Sequence, residues 1–198
     1  MFTWDEVSYE WANFSETDTP LVVGKGYDIY NVDQSIASYV GTLNNGNRSI
    51  TGLTRTTSGL GDPGFNLVGN PYPSCLDVFE INFPSEITAA SYVLRHGPKT
   101  YYFWSQGSGG DMEARYIQPG QGFFIEVLVN NQALDFSNTA RTHAGLGPLD
   151  KNQNKEKVVE LLKITLLGGG NDDRTYIGFR NEASTGFDAY YDVRKLKS

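Results

Sequence analysis

Among the 23 acids of this chain, Asp62, Asp77, Glu80, Asp111, Glu113 and Glu126 are the candidates for breaking a glycosidic bond. That chemistry asks for two carboxyls facing each other across the scissile link, one giving a proton and one acting as base or nucleophile. Such pairs meet only in the fold, and the local context of these six marks none as buried or coupled. Cys75 is the single thiol, and His96 and His143 are the two imidazoles. Neither histidine lies near the cysteine in sequence. The setting Pro73-Ser74-Cys75-Leu76 reads as a small buried filler in preference to a reactive thiol.

Asp172 and Asp173 follow three glycines and resemble a loose oxygen-ligand loop, of the kind extracellular modules use to bind Ca²⁺ weakly. The alternating acids of a dedicated loop are missing, so an ordinary hairpin turn is the preferred reading. Gly24-Lys25-Gly26-Tyr27 and Gly120-Gln121-Gly122-Phe123 share a Gly-x-Gly spacing. A phosphate cradle needs that turn between a strand and a helix N-terminus. Here each turn leads into an alternating β pattern, through Tyr27 and Ile29 or through Phe123, Ile125 and Val127. The glycines are therefore expected to permit a bulge, or to let an aromatic ring lie on bare backbone. Trp4, Trp11, Tyr101, Tyr102 and Trp104 are of the type that stacks on sugar rings. Alternation in Tyr101-Tyr102-Phe103-Trp104 sends neighbours to opposite faces, so some belong to a core and others face solvent. Asn13-Phe14-Ser15 and Asn47-Arg48-Ser49 match glycosylation sequons, which matter only on a eukaryotic secretory route. No residue is singled out as catalytic, cofactor-binding or metal-ligating, and no cofactor is expected.

The elements that must hold these residues are β-strands. Aromatics make up 13% of the 198 residues, against 39% apolar residues in all, so large rings must supply much of the core. Gly 22 and Pro 8, with many Asn, Thr and Ser, suit turns between strands. The net charge of −7 is spread without a long block of either sign, which argues against nucleic acid or an anionic membrane as partner. No stretch approaches the roughly 20 apolar residues of a membrane-spanning helix. Met1 to Glu6 lacks the basic and apolar regions of a secretory signal, so a secreted module implies a signal further upstream. The end at Lys195-Leu196-Lys197-Ser198 reads as a cut.

Along the chain, 21–30 is an extended run with a glycine kink. Residues 38–43 and 48–53 flank Asn44-Asn45-Gly46-Asn47, and an Asn-Gly pair between β-prone segments predicts a hairpin. Phe65 to Val68 leads into the corner Gly69-Asn70-Pro71-Tyr72-Pro73-Ser74, where at least one of the bonds before Pro71 and Pro73 is expected to be cis. A short helical turn is expected within 75–81. Strands are expected over Ile87–Leu94 and Thr100–Trp104 about a turn at His96-Gly97-Pro98, then a loop over 105–111. Tyr116-Ile117, Phe123–Val129 and Leu134–Phe136 follow. Residues 142–157 read as a linker or long loop. Val158–Leu167 fits a strand that pairs with Tyr176–Phe179, although a helix beginning near Asn154 fits the same pattern. Aligning Gly24 with Gly120 suggests equivalent positions in two packed sheets.

The fold expected is an all-β antiparallel sandwich, jelly-roll-like, with an appended C-terminal hairpin. Its main sandwich spans 1–141, its loop or linker 142–157, and its C-terminal β segment 158–198, packed on the same domain.

Several phrases together carry a resemblance: Gly24 to Tyr27, Gly41 to Gly46, Asn66 to Ser74, Tyr116 to Phe124, Arg141 with His143, and the tail Phe187 to Asp192 with Lys195-Leu196. In these the chain resembles a β-module of large secreted Bacteroidetes proteins, adhesin-like chains exported by the type IX system, in which it lies upstream of the C-terminal sorting domain. The resemblance implies an extracellular or cell-surface, non-catalytic structural or adhesive module with a glycan or protein ligand. The alternative is a carbohydrate-binding or polysaccharide-active β-module. No membrane insertion is expected.

Overall fold

The computed structural model describes residues 1–14, 20–29, 40–57, 63–94, 100–144, 161–168 and 171–196. The strands are β1 (Phe2–Asp5), β2 (Glu10–Asn13), β3 (Arg48–Leu53), β4 (Phe65–Gly69), β5 (Cys75–Asp77), β6 (Ala90–Leu94) and β7 (Tyr101–Ser105). They continue with β8 (Gly109–Gly110), β9 (Tyr116–Ile117), β10 (Gly122–Glu126), β11 (Gln132–Phe136), β12 (Arg141–Thr142), β13 (Leu161–Gly168) and β14 (Asn171–Gly178). One helical turn, α1 (Met112–Arg115), and 3₁₀ turns at Val78–Glu80 and Asn138–Ala140 complete the described elements. The strands pair antiparallel throughout the described residues, and the domain is all-β and sandwich-like.

Alternation along the strands explains the layers. The central sheet runs β4-β10-β6-β7-β8. Val68, Phe123, Ile125, Val93 and Trp104 point from one face of it into the main core. There they meet Ile50 and Leu53 of β3, Leu134 and Phe136 of β11, and Leu76 and Ile117 of the β12-β5-β9 sheet. Their neighbours Phe65, Tyr92, Phe124 and Phe103 point the other way, under Trp4 of the β1–β2 hairpin and Val193 and Leu196 of the C-terminal tail. Each fully buried side chain of this size contributes roughly 1.5–3 kcal/mol, so both faces of β10 carry stability.

Three expectations are corrected. Among the described residues the Asn-Gly segment joins no local hairpin, because β3 pairs instead with β11, in the register Ile50↔Leu134 and Arg48↔Phe136; residues 38 and 39 of the expected arm lie outside the description. That distant pairing fully buries Leu134 and Phe136, whereas Val40 and Leu43 stay 100% and 73% exposed and 40–43 pairs with no described strand. The Asn-Gly turn survives as a loop, with Gly46 at φ +71° and its carbonyl accepting the Tyr72 hydroxyl. Second, no described peptide bond is cis, so Pro71 and Pro73 both follow trans bonds. The corner turns on Asn70 instead, whose Oδ1 accepts from Tyr72 N at 3.0 Å. Third, the two glycine turns do not occupy two packed sheets. Lys25 bridges to Val68 and Gly122 pairs with Gly69, so both turns lie against β4.

Val158–Leu167 resolves as a strand over its described part, with Leu162 opposite Ile177. The short helical turn is the 3₁₀ turn at Val78–Glu80, capped by Asp77 Oδ1 accepting from Phe79 N. The His96-Gly97-Pro98 turn, Asp62 and most of the 142–157 linker lie outside the described residues.

Candidate functional site

Two places gather the residues singled out above. At the first, the chain leaves the central sheet after β4 and enters β5 of the other layer; after β9 it crosses back into β10. The proline corner makes the first crossing and Pro119-Gly120 the second. Asn70 staples them: its Nδ2 donates to Ser74 O at 2.8 Å and to the carbonyls of Ile117 and Gln118, each at 3.1 Å. Asn70 N also donates to Gln121 O.

The glycines divide their labour. Gly24 and Gly120 supply φ of +82° and +73°, a region that L side chains rarely adopt. Gly26 supplies room, since a Cβ there would sit 2.4 Å from Leu67 Cγ and 2.8 Å from Val68 O. Arg141 closes the corner by donating through Nε to Ser74 Oγ, with its guanidinium 5.2 Å from the centre of the Tyr72 ring. Burial pushes the Tyr72 hydroxyl above its ordinary pKa, with Arg141 and Arg48 pulling the other way. Between these corners and 21–29 opens a cleft of about 380 Å³. Its walls are glycine backbone, prolines and half-exposed aliphatics, with Lys25 its lysine. Cys75, behind the corner, is fully buried, and burial raises its thiol pKa.

The second place is a cleft of about 330 Å³ between the outer face of the central sheet and the C-terminal segment. Tyr101 and Phe103 reach it from β7, Tyr176 from β14, and Phe187 and Tyr191 from the tail. Gly107 lets the tail lie flat, because a Cβ there would be 2.1 Å from Tyr190 O. Tyr190 O accepts from Gly107 N at 3.1 Å and from Ser105 Oγ at 3.0 Å.

The acids considered for hydrolysis are mostly claimed by arginines. Glu126, fully buried, bonds Arg194, lies 3.5 Å from Arg55 and accepts from Thr88 Oγ1. Asp77 holds Arg115 at 3.0 Å. Asp111 accepts the Tyr176 hydroxyl at 2.7 Å and lies 3.4 Å from Arg174, fastening the C-terminal hairpin to the junction of β8 and α1. Glu80 and Glu113 are exposed. Sequence reading missed all these pairs, because arginines 38, 63 and 68 residues away leave no local signal. Asp173 is engaged by Lys195, and Asp172 pairs as backbone with Leu167, so both belong to a strand. Among the described residues no group of three or more His, Cys, Asp or Glu is placed to hold a metal ion.

Of the stacking candidates, Trp104 is core at 3% exposure. Tyr102 packs against the main core, while Trp4 donates its indole N–H to Phe65 O. Trp11 is 41% exposed beside Trp4 and Phe124. Tyr101 lines the C-terminal cleft. Asn47 Oδ1 accepts from Asn138 N, and Asn13 ends β2.

Fold and clefts define an all-β antiparallel domain with two preformed recesses. Over residues 1–198 the sequence matches a family described as Domain of unknown function (DUF8693), and the chain belongs to it. No curated protein and no solved structure matches the chain. No described helix is long and apolar enough to cross a membrane.

Proposed function

We propose that the chain is a non-catalytic structural or adhesive module of a larger secreted or cell-surface protein, which holds a ligand or a neighbour without transforming it. The observation that carries this reading is the commitment of Glu126, Asp77 and Asp111 to arginine and tyrosine partners. Carboxylates used this way fasten strands and tail together. The secreted setting draws on the resemblance of the glycine, proline-corner and tail phrases to surface modules. Supporting a role within a larger assembly, Leu162, Ile164 and Leu166 of β13 share a face with Ile177, and these four side chains are 40–72% exposed. Contiguous bare apolar surface of this kind is a feature of interaction sites.

A second reading, carbohydrate binding, is favoured by the ring-lined C-terminal cleft, since aromatic faces and scattered polar groups suit a sugar. The test is to pass the purified chain over a panel of immobilised polysaccharides and surface proteins while assaying new reducing ends. Retention without release of product is expected. Release of reducing ends by the chain would overturn the non-catalytic reading.

A further inference from the structure

The C-terminal cleft contains one cation that no described carboxylate pairs. Arg174, Arg180, Arg194 and Lys195 line it, together with Asp173 and Asp192. Arg174 is tied to Asp111, Arg194 to Glu126 and Lys195 to Asp173. Arg180 has no carboxylate partner among the described residues, and its Nε–H is buried with no hydrogen-bond partner. Its guanidinium lies 5.3 Å from the centre of the Tyr191 ring, which holds the fork at the cleft wall. An arginine fork with no carboxylate on it is shaped to be met by one.

The remaining lining narrows the ligand. Tyr101, Phe103 and Tyr176 bring aromatic surface to the cleft. Asp173 and Asp192 are acceptors, which suit hydroxyl donors and repel a second anion. One carboxylate, several hydroxyls and an apolar ring face are together the description of a hexuronic acid.

We propose that this cleft binds a hexuronic-acid unit of an acidic polysaccharide, with the carboxylate on Arg180 and the sugar ring against the tyrosine and phenylalanine faces. The proposal rests on the carbohydrate-binding reading and adds the class of sugar. D-glucuronate, D-glucose and benzoate are titrated separately into the full ¹⁵N-labelled chain, followed by amide and arginine Nε–Hε resonances. Glucuronate is expected to shift the Arg180 Nε–Hε signal and to bind about tenfold or more tightly than glucose, as a charge-assisted pair implies. Arg180→Gln should abolish that preference, and Arg180→Lys, which keeps the charge, should retain part of it. Glucose binding as tightly as glucuronate would overturn the carboxylate assignment and leave sugar binding standing. Benzoate binding without glucuronate would overturn the sugar assignment. No binding of any of the three would overturn both this proposal and the carbohydrate reading beneath it. The wild-type comparison decides the matter even if Arg180→Gln folds poorly.

Discussion

Asn70 is the side chain on which both crossings between the layers depend, and its replacement gives a sharp test. It is 9% exposed; the two Nδ2 hydrogens reach three carbonyls, one hydrogen being shared, and Oδ1 accepts from Tyr72 N. At about 1 kcal/mol net for each bond, with partial rescue by water, Asn70→Ala should cost about 2–4 kcal/mol. Asn70→Asp keeps the shape and the Tyr72 bond but turns an oxygen toward three carbonyls, so it should cost more than alanine does. Urea unfolding followed by tryptophan fluorescence reads this directly, because Trp104 lies in the main core. With a slope of about 2 kcal/mol/M, the midpoint of Asn70→Ala should fall by about 1–2 M, and that of Asn70→Asp further. An aspartate variant as stable as the alanine variant would refute the claim that the donors to Ser74, Ile117 and Gln118 fix the corners.

Gly26→Ala should destabilise by about 1–3 kcal/mol through overpacking against Leu67 and Val68, whereas Gly122→Ala, whose Cβ meets only ordinary 3.5 Å contacts, should stay within about 0.5 kcal/mol of wild type; equal melting temperatures for the two would contradict this division of labour. Glu126→Ala removes the carboxylate that Arg194, Arg55 and the Thr88 hydroxyl share and should cost about 1–3 kcal/mol by denaturant titration, no measurable loss counting against the network. Burial, and then the nearby Glu126, push the Tyr92 hydroxyl well above its ordinary pKa, with Arg194 opposing. Its contribution is therefore full below the unfolded-state value of about 10 and is lost as pH rises toward the folded value, so Tyr92→Phe should melt with a shallower alkaline decline. Parallel declines in the two proteins would show that another group is responsible. Leu166→Lys, at a position 72% exposed, should change stability by less than about 0.5 kcal/mol while reducing binding of a hydrophobic dye; a large loss of stability would place that face in the core.

Local sequence specifies the β class, the strands about Phe65–Val68, Tyr101–Trp104 and Phe123, and a pairing of Val158–Leu167 with Tyr176–Phe179, which the fold extends back through Asp173 and Asp172 to Asn171. Alternating side chains and glycine-rich breaks act over a few residues, and those are the distances a pattern can register. It also marked the proline corner and the glycine turns, without showing that Asn70 binds two of them together. Tertiary structure alone decided that Arg48–Leu53 pairs with Gln132–Phe136. The choice was made by burial of Leu134 and Phe136 far along the chain, against an exposed neighbour at 40–43. It likewise decided which acid meets which arginine, and it left Arg180 facing a ring-lined cleft. Charge pairing and cavity shape arise where distant strands and the tail are brought together, so no local spacing encodes them.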